Sequence, residues 1–236
     1  VNIVSGVAYL DSSDSQILHI RPSGGGADCM FDYLVSPCWA TEVAAARGTE
    51  GQTMTTLSGC TFKIYSTVQG AVTNIATLAD GTEWSVALCG MTQENVSVPA
   101  MSSGPDHIYF YGKGTGMNPG ISGIQGVVGV ASPVISSVQF SPQLHFSNIT
   151  LLGNTSTTQL FVFGLSQGGQ FHNCQFANAT GTGAVGVVLS TAVGVQFVGC
   201  RFSRASILTS GATTIDGLLV SGCYFSTASI DLAGTS

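Results

Sequence analysis

The chain has 236 residues and a net charge of −6, and only 8% of its residues are charged. Its six basic residues form no run, so the sequence predicts no nucleic-acid partner. Its longest apolar stretches, such as 126–131 and 184–189, are far shorter than the roughly 20 residues of a membrane-spanning helix, so no membrane span is expected. The 31 glycines argue against a helical bundle.

Residues 1–66 show no pattern that predicts a particular element, and we treat them as an N-terminal region of uncertain structure that could pack on the rest of the chain. Residues 67–236 form the second predicted region, because all of the regular patterns described next fall within it, apart from one early copy of a repeated motif.

A short helix and several strands are predicted at the start of the second region. Thr67 can cap a helix whose apolar residues share one face, and Asp80-Gly81 would end it. The apolar residues of this face are Val68, Val72, Ile75 and Leu78. Strands are predicted at 84–88 and 95–99, where apolar residues alternate, and at 107–116, where a strand runs into a glycine turn.

A short motif then recurs at nearly regular intervals along the chain. Its copies are FSNITL (146–151), FHNCQF (171–176), FVGCRF (197–202) and VSGCYF (220–225), and a partial copy, SGCTF, lies at 58–62. A period of roughly 25 residues predicts a solenoid, in which each unit stacks on the next. The alternative is an all-β sandwich in which Cys-x-Phe recurs by chance, and the regular spacing favours the solenoid.

The third position of the motif is restricted to Asn or Gly: Asn148, Asn173, Gly199 and Gly222, with Gly59 in the early copy. These residue types adopt positive φ most readily, so we expect a one-residue left-handed bend between two short strands. After the bend, the next residue and the one two positions later point inward again. Stacking predicts two files of side chains that run from coil to coil. Successive members of the first file, Cys174, Cys200 and Cys223, are expected about 4.8 Å apart. The second file contains Phe176, Phe202 and Phe225.

The seven cysteines are odd in number and show no paired CxxC spacing that would indicate zinc. Cys29 and Cys38 could form a disulfide. The cysteines of the repeat are better explained as buried free thiols that act as small apolar side chains, which favours assembly in a reducing compartment.

The repeat resembles the coils of the pectin-lyase-like superfamily, in which an apolar strand, a one-residue Asn corner and Cys-x-Phe follow one another. The preceding residues resemble the opening of pectinesterase-like proteins in three segments: Thr67, Val68, Gln69, Ala71 and Val72; Gly90, Glu94, Val96, Val98 and Pro99; and Ile108, Phe110, Gly112 and Gly114. Thr92 stands where that family has tyrosine. The resemblance covers 67–236 and implies an all-β, right-handed parallel β-helix with a short N-terminal capping helix.

The two aspartate segments and the arginine segment that carry catalysis in pectinesterase-like enzymes do not occur in this chain. From Ser132 onward there are two carboxylates, Asp216 and Asp231, whereas glycoside hydrolysis usually needs two that face each other across the bond. Asp216 could approach Arg201 on a neighbouring coil, although a solvated surface pair is the simpler interpretation.

The remaining candidates for chemistry also have structural explanations. His145 and His172 are separated by little more than one period of the repeat, so we expect them to lie nearly stacked on successive coils without binding a metal. Glu94 is explained by the first-coil pattern and not as a general acid. The sequence therefore predicts no catalytic residue, no metal and no cofactor.

The resemblance and the missing catalytic motifs together predict a non-catalytic structural or attachment protein of a virus or phage particle, such as a fibre or spike. We expect it in the virion, assembled in the host cytoplasm. By analogy its partners are further copies in a homotrimer, other virion proteins or a host surface glycan. The alternative is a polysaccharide-degrading lyase or glycoside hydrolase of tailspike or pectin-lyase-like type, and a secreted adhesin is a third class.

Overall fold

The computed structural model describes residues 2–4, 7–9, 32–35, 51–55, 61–78, 83–88, 90–101, 104–112, 122–138, 142–163, 168–178, 186–189, 193–209 and 215–232. Gly59 and the predicted pair of Cys29 and Cys38 lie outside the described residues.

The described part of the chain folds into short strands and one short helix. In chain order these are β1 (Asn2–Val4), β2 (Val7–Tyr9), β3 (Tyr33–Val35), β4 (Gln52–Thr55), β5 (Thr61–Tyr65), α1 (Val68–Ile75), β6 (Glu83–Leu88), β7 (Met91–Gln93), β8 (Val96–Val98), β9 (His107–Gly112), β10 (Gly123–Gln125), β11 (Ile135–Ser137), β12 (Gln143–Ser147), β13 (Thr150–Gly153), β14 (Phe161–Phe163), β15 (Gly169–His172), β16 (Gln175–Asn178), β17 (Val187–Leu189), β18 (Gln196–Val198), β19 (Arg201–Ser203), β20 (Ile207–Thr209), β21 (Leu219–Ser221), β22 (Tyr224–Ser226) and β23 (Ile230–Asp231).

From β6 onward the strands form coils, and each coil contributes one strand to each of three parallel sheets. The first sheet contains β6, β9, β12, β15, β18 and β21; the second contains β7, β10, β13, β16, β19 and β22; the third contains β8, β11, β14, β17, β20 and β23. This is a parallel β-solenoid of about five turns with one short helix, consistent with the predicted right-handed parallel β-helix. The predicted all-β solenoid is thus confirmed.

Strands from the N-terminal region extend the first sheet. β3 pairs in parallel with both β6 and β5, and β4 pairs with β5 in the antiparallel direction, while β1 and β2 form a separate antiparallel pair. The division of the chain at residue 66 stays a prediction.

Stacked phenyl rings fill the interior because every second residue of a strand points inward. In the first sheet, Phe110, Phe146, Phe171 and Phe197 are in register, with ring centroids 4.8 to 5.0 Å apart and nearly parallel rings. Rings of the second sheet meet this file edge to face, for example Phe176 against Phe171 at 5.2 Å. Parallel-displaced and edge-to-face pairs of this kind stabilise a core by about 0.5–1.5 kcal/mol each beyond the area that they bury.

α1 lies at the start of the solenoid and is held there by the first coil. Thr67 caps it as predicted, since its hydroxyl accepts a hydrogen bond from the Gly70 N–H. The buried Glu94 carboxylate accepts from the N–H groups of Val68 (2.7 Å) and Gln69 (2.8 Å), so it satisfies two donors of the first turn. The helix ends at Ile75, before the predicted stop at Asp80-Gly81.

The Gln69 side chain ties α1 to an outer strand of the first coil. Its amide oxygen accepts a hydrogen bond from the Ser97 N–H (2.7 Å), and its amide nitrogen donates to the Ser97 carbonyl (3.2 Å). Gln69 thereby pairs with β8 as a neighbouring strand would. Helix and side chain together cover the first coil, which is the capping role that the sequence predicted for this segment.

Candidate functional site

The four corner residues that the sequence singled out all lie between the first and second sheets with positive φ. The values are 57° for Asn148, 51° for Asn173, 64° for Gly199 and 62° for Gly222. Backbone hydrogen bonds connect the corners to the following coil, from Asn173 N–H to the Val198 carbonyl and from Gly199 N–H to the Ser221 carbonyl, both 2.9 Å. The corner turns the chain and continues the coil-to-coil pairing at the same time.

Replacing Asn173 with valine is expected to lower the free energy of unfolding by about 1–2 kcal/mol, because a β-branched side chain is strained at positive φ. Asn173→Gly should change stability far less, since glycine adopts this φ without steric cost. Urea unfolding followed by circular dichroism measures both. Equal losses in the two variants would show that φ is not what restricts this position.

A second bend, between the second and third sheets, was missed by the sequence analysis. Arg204 has a φ of 54° and Thr227 a φ of 52°, one coil apart. Neither arginine nor threonine is a residue type from which positive φ would be predicted, and threonine disfavours it. The available signal was the repeated hexapeptide itself, FSRASI at 202–207 and FSTASI at 225–230.

The three cysteines of the repeat occupy equivalent positions in successive coils and are free thiols. Each thiol donates to a carbonyl of the preceding coil: Cys174 to Phe146 (3.4 Å), Cys200 to Phe171 (3.3 Å) and Cys223 to Phe197 (3.4 Å). The interaction with the Cys174 thiol, followed by burial, raises the pKa of Cys200, and burial raises the pKa of Cys223. Because the thiolate is the reactive form, this file suits a structural role better than nucleophilic chemistry.

The predicted phenylalanine file lies beside the thiols in the second sheet. Phe176 pairs with Phe202 and Phe202 pairs with Phe225, with centroids 4.7 Å apart in both cases and rings nearly parallel. Phe176 and Phe202 are fully buried, whereas Phe225 belongs to the last described coil and is partly exposed.

Polar and aromatic side chains line the outer face of the first sheet. His107 Nδ1 and His145 Nε2 are 3.0 Å apart, the Tyr109 ring stacks on His145 at 4.4 Å, and His145 Nδ1 lies 3.3 Å from the Gln170 side-chain oxygen. The sequence predicted that His145 and His172 would lie nearly stacked. The structure offsets them by two residues along neighbouring strands, because His145 pairs with Gln170 and His172 pairs with Ser147. Burial, together with nearby His107, lowers the pKa of His145 to about 4.

We expect this lowered pKa to make the protein less stable in mild acid. In the unfolded chain His145 becomes protonated below a pH of about 6.5, whereas in the folded chain it stays neutral down to about pH 4. The free energy of unfolding therefore falls as the pH decreases from about 6.5 to about 4. His145→Gln, which continues the glutamines of the next two coils, should reduce the stability difference between pH 7.5 and pH 4.5 by about 1–2 kcal/mol, allowing for partial exposure. Urea unfolding at both pH values tests this, and an unchanged difference would contradict it.

A groove opens on the outer surface at the first corner of the last three described coils, with a volume of about 240 Å³. We call it the corner groove; it is lined by Asn173, Gly199, Arg201, Gly222 and Tyr224 together with Cys174 and Cys200. The Arg201 guanidinium carbon lies 5.6 Å from the centre of the Tyr224 ring. Arg201 thus contacts Tyr224, one coil on, whereas the sequence had suggested an approach to Asp216.

The last described coil leaves inward-facing apolar side chains partly exposed. Ile230 continues the buried file of the third sheet yet is 42% exposed, and Val220 and Phe225 are half-buried where their counterparts one coil earlier are fully buried. In the described residues, β21, β22 and β23 each pair with a strand on one side. Such an edge favours pairing with further polypeptide.

The described residues offer neither a metal cluster nor a membrane-crossing helix. Within the described ranges, no three His, Cys, Asp or Glu side chains are grouped so that they could hold a metal ion. The short α1 lacks the length and apolarity of a bilayer-crossing helix, and no other helix is described. No protein-family model, curated protein or solved structure matches this chain.

Proposed function

We propose that this chain is a non-catalytic structural or attachment protein of a virus or phage particle, and that it belongs with the pectin-lyase-like β-helices. Its solenoid serves as a stiff shaft in a fibre, spike or other surface component of the virion, assembled in the host cytoplasm, where free thiols persist. The interior supports this role, because phenyl rings and thiols stack through successive coils as packing groups.

The observation that carries the proposal is the interior of the solenoid, where Phe110, Phe146, Phe171 and Phe197 stack in register through four successive coils. A continuous, closely packed file of this kind favours a stiff shaft. By analogy with β-helical fibres, we assign its partners as further copies of the chain in a homotrimer or other virion proteins. The role of Glu94 agrees with a structural protein, since its carboxylate is bound by the first turn of α1.

Light scattering of the purified chain tests this assembly. We expect a mass three times that of one chain. A monomeric wild type would contradict the assembly.

A polysaccharide-degrading enzyme is the second candidate, and one observation favours it. His145 is neutral at pH 7 because of its lowered pKa, and it lies among aromatic and amide side chains on an outer face where a glycan could bind. Incubation with capsular and cell-wall glycans, followed by measurement of reducing ends and unsaturated sugars, separates the candidates. Turnover that is lost in His145→Gln would establish the enzyme and overturn the structural proposal.

A further inference from the structure

Lys63 binds a neutral amide at the point where β5 faces α1. Its Nζ donates to the Asn74 side-chain oxygen at 2.9 Å, and both side chains are half-buried. Within the described residues this amide oxygen is the only partner of the ammonium. A partly buried ammonium is normally paired with a carboxylate, because an amide leaves its charge without compensation. The pair therefore brings an amine, which is a nucleophile once it is neutral, against an acyl group.

A buried tyrosine hydroxyl polarises the same amide. The Tyr33 hydroxyl donates to the Asn74 side-chain oxygen at 3.0 Å, and the tyrosine is only 1% exposed. Burial, followed by the nearby Tyr65 and Asp32, raises the pKa of Tyr33 well above its ordinary value. The hydroxyl therefore keeps its proton in alkaline solution, where amines become neutral. It is placed to stabilise negative charge that develops on the amide oxygen, as a donor of an oxyanion hole does.

Both reacting side chains are carried by regular elements. Lys63 lies in β5, which pairs with β3 and β4. Asn74 lies in α1, and its main-chain carbonyl accepts from the Thr77 N–H (3.0 Å) and hydroxyl (2.7 Å). Since a C=O bond is about 1.23 Å long, the amide carbon of Asn74 is at most about 4.1 Å from Nζ. A near-attack separation of about 3–3.5 Å is thus reached by a side-chain movement of about 1 Å.

We propose that Lys63 and Asn74 form an isopeptide bond between β5 and α1. The lone pair of neutral Nζ forms a bond to the amide carbon, and the C=O electron pair moves onto Oδ1, which accepts from Tyr33. When the C=O bond re-forms, the C–N bond of the amide breaks, and its nitrogen takes a proton from Nζ and leaves as ammonia. The proton that the ammonium loses beforehand goes to solvent, so the reaction needs no oxidant or other co-reactant.

The bond links two residues that are 11 apart in the chain and belong to different elements. Because α1 covers the first coil, the cross-link prevents this cap from moving away from the strands beside it. Closing a loop covalently also restricts the unfolded chain, which stabilises the folded state. The inference goes beyond the proposed function and does not depend on it, since the cross-link is intramolecular.

Mass spectrometry of the denatured full chain tests the proposal. We expect a species about 17 Da lighter than the sequence mass, because one ammonia is lost. Its fraction should rise during incubation at about pH 9.5, where more of the amine is neutral. A chain that keeps its full sequence mass after this incubation overturns the proposal.

Proteolysis locates the cross-link. Chymotryptic cleavage after Tyr65 separates Lys63 from Asn74, so a fragment that contains both residues identifies the bond directly. Lys63→Arg keeps the positive charge and the donor, and this variant should keep the full sequence mass. An ammonia loss that persists in Lys63→Arg would instead come from a succinimide at Asn74, and it would overturn the proposal.

The rate of the mass loss tests the part assigned to Tyr33. Tyr33→Phe keeps the buried ring and removes the hydroxyl, so we expect the loss of ammonia at about pH 9.5 to slow by about tenfold or more. Tyr111→Phe is the matched control, because Tyr111 is also a buried tyrosine but lies on β9. We expect its rate to stay within about twofold of the wild type. Equal rates in Tyr33→Phe and Tyr111→Phe would contradict the role of the Tyr33 hydroxyl.

Discussion

Replacing Phe171 with alanine is expected to lower the free energy of unfolding by about 3–5 kcal/mol, the largest effect of any substitution considered. The ring is completely buried and touches five others: Phe146, Phe161, Phe163, Phe176 and Phe197. The loss combines the transfer of the ring out of the core with the cavity that remains, because neighbours fixed by strand pairing cannot collapse into the space.

Chemical unfolding followed by circular dichroism measures this loss, and Phe225→Ala provides the control. Phe225 stacks on Phe202 at 4.7 Å but is partly exposed on the last described coil, so its removal should cost clearly less. Similar costs at the two positions would mean that the inner coils are not packed more tightly than the open end.

Glu94→Ala is expected to lower the free energy of unfolding by about 2–3 kcal/mol, because it leaves two N–H groups of the first helical turn without their acceptor. The Val68 N–H is buried, which makes its lost hydrogen bond the costlier of the two. Glu94→Gln keeps one acceptor oxygen without the charge that favours a helix N-terminus, so about half of the loss is expected. Urea unfolding compares the three proteins, and a stable Glu94→Ala variant would show that α1 does not depend on this carboxylate.

The first corner could be predicted from its residue types, whereas the second could not. Asn148, Asn173, Gly199 and Gly222 belong to the residue types that tolerate positive φ, so restriction to those types revealed the bend. At the second corner Thr227 holds a φ that its own side chain disfavours. At this corner the coil-to-coil hydrogen bonds and the packed side-chain files hold the backbone at positive φ. Residue preferences for positive φ therefore do not predict the bend.

The period of the repeat and the inward-outward alternation of side chains explain which files of stacked side chains could be predicted. The phenyl and thiol files follow from a constant position in the motif and from inward alternation after the bend. The histidines of the outer face show that sequence spacing alone does not determine which residues pair on neighbouring strands. The in-register partner of His145 is Gln170, so His172 lies one outward position further along the strand, opposite Ser147.

The groove and the helix cap illustrate a further limit. Arg201 and Tyr224 are in register on neighbouring coils, and their contact follows from this register, which the repeat predicts. Gly199 and Gly222 are among the residues that line the groove, and a motif that treats Asn and Gly as equivalent does not reveal it. Glu94 was correctly assigned to the first coil, yet its hydrogen bonds to α1 required the folded positions of both elements.

The measurement that tests the solenoid most directly is a set of nuclear Overhauser contacts between backbone hydrogens of successive coils. In-register parallel strands bring His145, Gln170 and Gln196 side by side, so we predict amide-to-amide and Hα-to-amide contacts between the strands that carry them. Close Hα-to-Hα contacts between these strands and others, with none from one coil to the next, would instead indicate an antiparallel sandwich and contradict the account.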